Sequence, residues 1–520
     1  MNTAFLFWLP LLPFLGAIAI GVFTRKKIIL SGWIAIAVSL AVCIMVIESG
    51  TTIFPWRTQA INPISATKSW IPNLQLNAYL VLDSFAGWMI MMTTLTMLTG
   101  LVYMMFIEPR PSWKRLSCIL IIFSGAIGVF LARDALSLLF AWGTWLIVPF
   151  FVDSRHADKK YASGRISFFI FHLLSLLLLA GALGLAHFMH FSKSGLQGFD
   201  MATISRLPIP ESAQLWLFAL TLVCLAIRMA LFPFHTWLID AITEFPATIS
   251  AFLIPTGLAT SIYTMLRICL PLCPDMCIKF NKYAIFAALL SMIYGAMVAL
   301  MNPHLLHRLG FATQSYSGLM LLGLFTLNDT GFVGALLTAA NFIPTMSILI
   351  LAINWITSRT ETDLMQDVTG IRHKFPLISI IAITCVMALS GIPGLSMFSG
   401  LFLIIAGVIQ IQPVWAFIAL AAFLILSTGS LWMFQKIFTG KPSPLVAGFN
   451  PADNLTPGRI LIPLTALILW FGFFPQYMIH SFMDQSETIN RHIQSHRILK
   501  QTEPGITPLE HFFQQKKQRQ

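Results

Sequence analysis

About fourteen stretches of mainly apolar residues alternate with short polar segments along most of the chain. A helix needs about 20 apolar residues to cross the roughly 30 Å hydrocarbon core of a bilayer, because each residue rises about 1.5 Å. The candidate spans are 4–23, 28–48, 79–106, 116–132, 135–152, 166–190, 212–232, 246–268, 283–301, 309–327, 332–355, 375–411, 413–435 and 459–479. This pattern predicts an all-α, polytopic membrane protein of about fourteen transmembrane helices.

Two of these spans contain a proline where a continuous helix would be expected. The stretch 375–411 is too long for one ordinary crossing and contains Pro393, and the span 212–232 runs directly into Pro233. Proline removes a backbone donor and clashes with the preceding turn, so we predict a helix break at Pro233 and another at Pro393. The breaks lie five spans apart, which is the arrangement of two five-helix inverted repeats, each with one broken helix.

The spans divide the chain into an N-terminal group, two repeats, a last helix and a tail. The predicted segments are 1–110 with helices one to three, 111–270 as the first five-helix repeat, 283–440 as the second, 459–480 as the last transmembrane helix, and 481–520 as a polar, basic tail. The tail has few apolar residues, so we expect it to be partly disordered or to lie along a surface.

The distribution of charge predicts which loops face the cytoplasm. The chain of 520 residues is 57% hydrophobic and 10% charged, whereas a soluble domain has roughly 25% charged residues. The formal net charge is +12, but most loop Lys and Arg residues follow the odd-numbered spans. That bias predicts that these loops, including those with Lys159 and Lys374, face the cytoplasm, and it argues against nucleic acid as a partner. Lys and Arg in the tail run against the rule.

Arg228 is the most informative ionisable residue inside a predicted span. It lies one turn before the Pro233 break, and a charge at the centre of a bilayer costs about 2.5–3.5 kcal/mol on insertion scales. Arg228 is therefore either a fixed cation that biases a neighbouring proton or ion site, or a structural side chain that binds the carbonyl groups freed by the break. The sequence favours neither over the other.

Four further residues could belong to a proton path. His172 lies in an apolar span and could relay protons, although a buried, neutral, hydrogen-bonded histidine is the commoner case. His235, Asp240 and Glu244 follow the Pro233 break within ten residues or so. They could form an entry funnel for protons, or they could be ordinary polar groups of a loop.

No motif for a catalytic centre or a cofactor is evident in the chain. Glycine-rich nucleotide loops, a Ser/His/Asp set and Cys-x-x-Cys pairs are missing, so we expect no cofactor and no redox centre here. Cys269, Cys273 and Cys277 are spaced by four around two prolines. A metal site and a disulfide are both open for these cysteines, and a simple packing role is the third alternative.

The segment after Arg228 carries a family resemblance. Residues 231–241 read LFPFHTWLIDA, and Glu244, Phe245 and Pro246 follow. This resembles the Phe-Pro-x-His-x-Trp-Leu-x-Asp-Ala…Glu-Ala-Pro signature of the antiporter-like membrane subunits of respiratory complex I and of Mrp-type cation/proton antiporters, closest to the subunit M class. The segments 134–140, 391–396, 438–440 and 472–475 resemble further landmarks, so the resemblance extends over most of the chain.

The resemblance implies proton transfer along charged residues that this chain largely lacks. The family uses a glutamate on the fifth helix, lysines on the seventh and eighth, and a charged residue on the twelfth. The corresponding positions here hold Thr144, Arg228, Ala259 and Leu401. An arginine essentially never deprotonates, whereas a buried lysine can. The site therefore keeps one fixed cation without its acid partner, and the usual Glu–Lys relay cannot run in that form.

The function implied by the resemblance is that of a membrane subunit in a complex-I-like or Mrp antiporter-like assembly. Its family role would be proton or cation translocation coupled to a partner's reaction, as in proton-translocating NADH–quinone oxidoreductases, and any redox chemistry would come from the partner subunits. We expect a multi-pass protein of a bacterial cell inner membrane. Alternatives are a membrane subunit of an inorganic-carbon uptake complex, a non-pumping scaffold, and a stand-alone ion carrier or channel.

Overall fold

The structure, a computed structural model, describes residues 3–53, 63–71, 76–108, 111–152, 163–194, 199–206, 209–449 and 455–502. The helices are α1 (Phe5–Ala19), α2 (Ile28–Ile53), α3 (Ser84–Ile107), α4 (Trp113–Leu131), α5 (Ala135–Gly143), α6 (Val148–Phe151), α7 (Ser163–Ser194), α8 (Met201–Arg206), α9 (Glu211–Arg228), α10 (Thr236–Glu244), α11 (Ala247–Thr264), α12 (Leu270–Leu272), α13 (Pro274–Lys279), α14 (Asn281–Met301), α15 (Leu305–Leu324), α16 (Asp329–Thr360), α17 (Ile371–Lys374), α18 (Pro376–Leu389), α19 (Ser396–Ile411), α20 (Pro413–Phe438), α21 (Pro444–Ala447), α22 (Leu455–Phe473) and α23 (Gln476–Thr502).

The predicted polytopic helical fold is confirmed. Within the described ranges, eleven helices are long and apolar enough to cross a membrane. Three shorter apolar helices are Ala135–Phe151, which combines α5 and α6, and the pair α18 and α19. Helix α15 has 20 residues and is almost entirely buried. Short π-helical turns extend α1 and α11, and a 3₁₀ turn joins α5 to α6.

A small β-hairpin was not predicted. Strands β1 (Ile64–Ile71) and β2 (Leu76–Leu82) pair antiparallel, with Ile64 opposite Leu82. The expected span 79–106 was therefore wrong at its start, because the third transmembrane helix begins only at Ser84. Apolar residues of β2 had been assigned to the helix because a short apolar run does not distinguish strand from helix.

The first predicted helix break has a defined backbone geometry. Helix α9 ends at Arg228, and Ala230 follows with a positive φ of 50°. The Leu231 amide donates to the Ala226 carbonyl at 2.9 Å, and the Ala230 amide donates to the Ile227 carbonyl at 3.1 Å. These two bonds form a Schellman motif, which ends a helix with one left-handed residue.

The second predicted break repeats that geometry. Helix α18 ends at Leu389, and Gly391 has a positive φ of 69°. The Ile392 amide donates to the Met387 carbonyl at 3.2 Å, and the Gly391 amide donates to the Ala388 carbonyl at 2.9 Å. The same motif thus interrupts one helix in the first repeat (111–270, called the first half below) and one in the second repeat (283–440, the second half).

A buried ion cluster fixes the bundle end at which α3 begins. The Asp83 carboxylate binds Arg133 at 2.6 Å and also pairs with Arg267. Arg133 donates to the Tyr263 hydroxyl at 3.1 Å, and Arg267 donates to Gln485 at 2.9 Å. Burial alone would raise the pKa of Asp83, but the guanidinium groups of Arg267 and Arg133 outweigh it and lower that pKa. The cluster ties α23 to the transmembrane bundle.

Part of the tail, which we expected to be partly disordered or to lie along a surface, is a helix packed on the bundle. Residues 476–502 form α23, whose Phe482 and Ile493 are buried against the bundle. Ser481 accepts a hydrogen bond from the Trp88 indole at 2.9 Å, and His492 contacts the Pro271 carbonyl at 3.2 Å. The tail therefore begins at the bundle end opposite the loops that follow odd-numbered spans. Residues 503–520 lie outside the described ranges.

Candidate functional site

Arg228 lies in the interior of the first half, at the C-terminal end of α9. Only 3% of its surface is exposed. Its guanidinium carbon is 4.1 Å from the centre of a Trp142 ring and 4.5 Å from a Trp145 ring. Because the face of an indole ring carries negative potential, these contacts stabilise a cation that has left water. The first half therefore contains a buried positive charge held by aromatic faces.

Two glycines make room for one of these tryptophans. A Cβ atom at Gly125 on α4 would lie 2.5 Å from the Trp145 indole nitrogen, and one at Gly257 on α11 would lie 2.9 Å from its ring. Real Cβ contacts are essentially never that short, so larger residues at these positions would displace the ring. The packing of α4, α5 and α11 thus positions Trp145 against Arg228.

The polar partners expected for Arg228 are replaced by these rings. Its Nε and Nη2 atoms have no hydrogen-bond partner among the described residues. The Ile227 carbonyl at the break accepts hydrogen bonds from the Ala230 amide and from the Trp237 indole, the latter at 2.8 Å. The structural alternative, in which Arg228 binds carbonyl groups freed by the break, is therefore not seen for these two nitrogens among the described residues.

Thr144 occupies the position where the resemblance implies a glutamate. It follows directly on α5, in the 3₁₀ turn between Trp142 and Trp145, and its hydroxyl donates to the Ala141 carbonyl at 2.7 Å. A Cβ atom at Gly125 would lie 2.3 Å from this hydroxyl oxygen. Thr144 therefore packs against α4, and its side chain supplies no carboxylate to the buried cation.

His172 lies close to this site on α7 and is buried. Its Nδ1 atom is 2.9 Å from the Phe168 carbonyl, which can only accept, so Nδ1 carries the proton. The ring stacks on Phe168 at 3.7 Å and meets the edge of Trp237 at 4.6 Å. This arrangement leaves Nε2 as the nitrogen that can take up a further proton.

The three polar residues after the break do not form one cluster. Glu244 caps the start of α7, where its carboxylate accepts from the Gly164 amide at 3.0 Å and from the Ser163 hydroxyl at 3.1 Å. Burial raises the pKa of this carboxyl group. Asp240 takes no part in this cap, and burial raises the pKa of its carboxyl group as well.

His235 lies apart from both, inside an aromatic enclosure. Its ring centre is 5.1 Å from that of Tyr294, 5.8 Å from that of Phe311 and 5.9 Å from that of Phe232. Its Nδ1 atom is buried and has no hydrogen-bond partner in the part of the chain that the structure describes.

Arg308, at the start of α15, is a second buried arginine. It is 3% exposed, and its Nε donates to the Asn302 carbonyl at 2.8 Å. A terminal nitrogen binds the Leu300 carbonyl, and the guanidinium lies over a Trp432 ring at 5.1 Å. No periodic signal distinguishes this arginine from an exposed one at the start of a helix.

Two positions where the resemblance implies charged residues are apolar. Ala259 is fully buried on α11 in the first half, and Leu401 lies beside the break at Gly391 in the second half. Gln314 on α15 is buried with both amide atoms unpaired within the described residues, and Asn341 on α16 donates to the Ser396 carbonyl at 3.1 Å. Neutral amides thus contribute polar groups to the interior of the second half.

The structure also bears on the three alternatives for Cys269, Cys273 and Cys277, which were a metal site, a disulfide and a packing role. All seven cysteines are buried and free, including Cys269, Cys273 and Cys277. Cys269 contacts the Thr221 hydroxyl, with 3.1 Å between sulfur and oxygen. The disulfide alternative for this group is not present in the structure.

Comparisons with known proteins agree with this architecture. The family model described as "NADH:quinone oxidoreductase/Mrp antiporter, TM" matches residues 132–427. NADH-quinone oxidoreductase subunit M of Escherichia coli (strain K12) is 25% identical over 493 residues, covering 90% of this chain and 94% of that protein. NAD(P)H-quinone oxidoreductase chain 4 2 of Thermosynechococcus vestitus is 26% identical over 515 residues, covering 95% and 93%.

Solved structures show the same fold. A chain of respiratory complex I from Thermus thermophilus superposes with a TM-score of 0.80 at 21% identity, covering 94% of this chain and 99% of that one. A chain of the Mrp complex from Dietzia sp. also gives 0.80 at 18% identity, covering 95% and 99%. The family match, which spans more than half of the sequence, agrees with the broken helices and the apolar spans. The chain is thus a multi-pass membrane protein that belongs to the NADH:quinone oxidoreductase/Mrp antiporter transmembrane family.

Proposed function

We propose that this chain is a membrane subunit of a complex-I-like or Mrp-like assembly in a bacterial inner membrane, and that its first half moves protons past Arg228 and not through it. The observation that carries this proposal is the stacking of the Arg228 guanidinium on Trp142 and Trp145, at 4.1 and 4.5 Å. Redox chemistry and cofactors belong to partner subunits.

The chemistry of arginine excludes it as a proton carrier at this place. Its side chain keeps its proton under all ordinary conditions, whereas a lysine can release one when it is buried. The indole faces further stabilise the charged form. Arg228 therefore acts as a fixed charge, and it raises the free energy of any second cation that approaches the centre of the first half.

His172 is the titratable residue next to this charge. It lies on α7 against Trp237, whose indole also closes the break below Arg228. Because like charges repel, the fixed charge of Arg228 opposes a lasting second positive charge on the nearby His172 ring. His172 thus takes the place of a relay group while Arg228 sets the field around it.

The apolar residues at two relay positions support a reduced transport role. A Lys–Glu relay cannot pass through Ala259 and Leu401, and the amides of Gln314 and Asn341 do not titrate. This favours the scaffold alternative for the second half, where the protein would hold neighbouring subunits in place. No observation separately favours an inorganic-carbon uptake complex or a stand-alone channel.

The proposal predicts opposite results for two substitutions. We would purify the protein with its partners in mild detergent, identify the co-purifying subunits, and measure proton flux after reconstitution into liposomes. His172→Gln should abolish coupled flux, because it removes the group that binds the proton. Arg228→Gln should increase the passive proton leak, because it removes the charge that repels protons, and Arg228→Lys should keep the leak near the wild-type level.

Matched controls separate these effects from loss of assembly. His190→Gln changes another buried histidine of α7 and should leave flux unchanged. If Arg228→Gln abolishes coupled flux in a complete assembly, residue 228 is a relay and the proposal is wrong. If the chain purifies alone, without partner subunits, the proposal that it is part of a membrane complex is wrong.

A further inference from the structure

Three metal-binding side chains converge at one end of the second half, away from Arg228. His304 caps the start of α15, His307 follows in its first turn, and Asp363 lies in the loop between α16 and α17. One ligand atom from each residue lies within 4.8 Å of the other two. All three side chains are partly exposed, so a cation could reach them from solvent.

The backbone holds the two loops in register. The Leu305 amide donates to the Asp363 carbonyl at 2.9 Å, and the Met365 amide donates to the Pro303 carbonyl at 3.0 Å. His304 forms an isolated antiparallel bridge with Leu364. These bonds fix the positions from which His304 and Asp363 project, so the cluster does not depend on a chance approach of mobile side chains.

The donor atoms suit a small divalent cation. The His304 Nδ1 and Asp363 Oδ1 atoms are 2.9 Å apart, whereas two ligands of a tetrahedral Zn²⁺ at about 2.0–2.1 Å span roughly 3.3 Å. A shift of a few tenths of an ångström would therefore admit the metal. Two imidazoles and one carboxylate, with water in the fourth position, form a familiar coordination set for this ion.

His307 has a buried ring nitrogen that is available to bind a ligand. Its Nδ1 atom is buried and has no hydrogen-bond partner among the described residues. A buried polar atom normally has a partner, and an imidazole nitrogen is among the commonest metal ligands. The neighbouring Arg308 does not compete for the site, because its guanidinium binds the carbonyls of Leu300 and Asn302.

We propose that His304, His307 and Asp363 bind one divalent cation of the Zn²⁺ class. The cation links the loop before α15 to the loop after α16, and it thereby fastens two of the helices that enclose the second helix break. The site is separate from the proposed proton path of the first half, and its role is to brace the second half.

Cobalt substitution tests this site directly. After a chelator wash, the detergent-purified full-length protein, with any partners, would be titrated with Co²⁺ and followed by its visible absorption. The wild type should take up one Co²⁺ per chain with the spectrum of a nitrogen- and oxygen-ligated ion. His304→Gln and Asp363→Asn should weaken binding at least about tenfold, since even residues behind the ligands affect affinity by 10–100-fold.

A control variant and a thermal stability measurement accompany the titration. His373→Gln alters an exposed histidine of the adjacent α17, which contacts the Gly440 carbonyl, and should bind Co²⁺ like the wild type. Zn²⁺ should raise the thermal midpoint of the wild type and of His373→Gln, but not that of Asp363→Asn, which also reports whether the variant folds. Equal binding by all variants, absent binding, or a cobalt–thiolate band from the buried cysteines would each overturn the proposal.

Discussion

The contact between Arg228 and Trp142 should be measurable as a coupling energy. A cation–π contact contributes about 2 kcal/mol or more when both groups are removed from water. The guanidinium carbon lies 4.1 Å from the ring centre, and Arg228 is 3% exposed, so the desolvated value applies. We therefore expect Arg228→Met and Trp142→Leu to be coupled by about 2 kcal/mol in the free energy of unfolding.

The single variants should behave differently from each other. Trp142→Leu leaves a buried charge with one ring fewer, and we expect it to cost about 3–5 kcal/mol, as for other charges that lose a buried partner. Arg228→Met removes the charge itself and replaces it with an apolar chain of similar length, so its cost should be small or even favourable. When Trp142→Leu is made in the Arg228→Met variant, the cost of losing the ring should fall by about the coupling energy.

The assay is a double-mutant cycle on reversible unfolding in lipid–detergent micelles. Trp88 on α3 provides the matched control, because its indole bonds to Ser481 of α23 and not to the rings around Arg228. Trp88→Leu should add to Arg228→Met within about 0.5 kcal/mol, as distant sites do. If the Arg228–Trp142 pair is also additive within that margin, the rings do not stabilise the charge and our account of the site fails.

Three further predictions concern the breaks, the ion cluster and the topology. Gly391→Ala should destabilise the protein by at least about 1–2 kcal/mol, because its φ is left-handed, whereas Ala230→Gly should be neutral or stabilising in the same denaturation assay. Asp83→Asn should free α23 to limited proteolysis at neutral pH; in the wild type, whose Asp83 pKa is lowered, this stabilisation should persist until the pH falls through that pKa. A cysteine at Arg372 should be labelled only from the cytoplasm and one at Glu211 only from outside, since the seven native cysteines are buried; the reverse pattern would overturn the orientation.

The helix count and the two breaks could be predicted because they follow from local rules. Apolar length marks a crossing, and proline favours an interruption, although Pro255 and Pro344 lie inside continuous helices. The positions of Pro233 and Pro393 were enough to predict where the helices break. The left-handed residues of the two turns are nevertheless Ala230 and Gly391. The hairpin was missed because the seven residues of β2 are apolar enough to extend a neighbouring helix.

The surroundings of Arg228 could not be predicted, because they depend on contacts between distant segments. Nothing in the sequence near Trp145 shows that Gly125 and Gly257 provide space for its ring. In the same way, Asp363 is far in sequence from His304, and only the paired loops bring them together. The family resemblance drew attention to Arg228, but it could not show that aromatic rings surround this residue.

The two matched helix breaks have different electrostatic consequences. A helix end carries about half an elementary charge, negative at the C-terminus, so α9 and α18 each place a partial negative charge at a break. Arg228 overcompensates that charge in the first half, whereas at the end of α18 the Leu389 carbonyl meets only the neutral hydroxyl of Tyr316. Two breaks with the same backbone geometry therefore carry local charge of opposite sign. An approaching proton would be repelled at the centre of the first half and attracted at the end of α18 in the second.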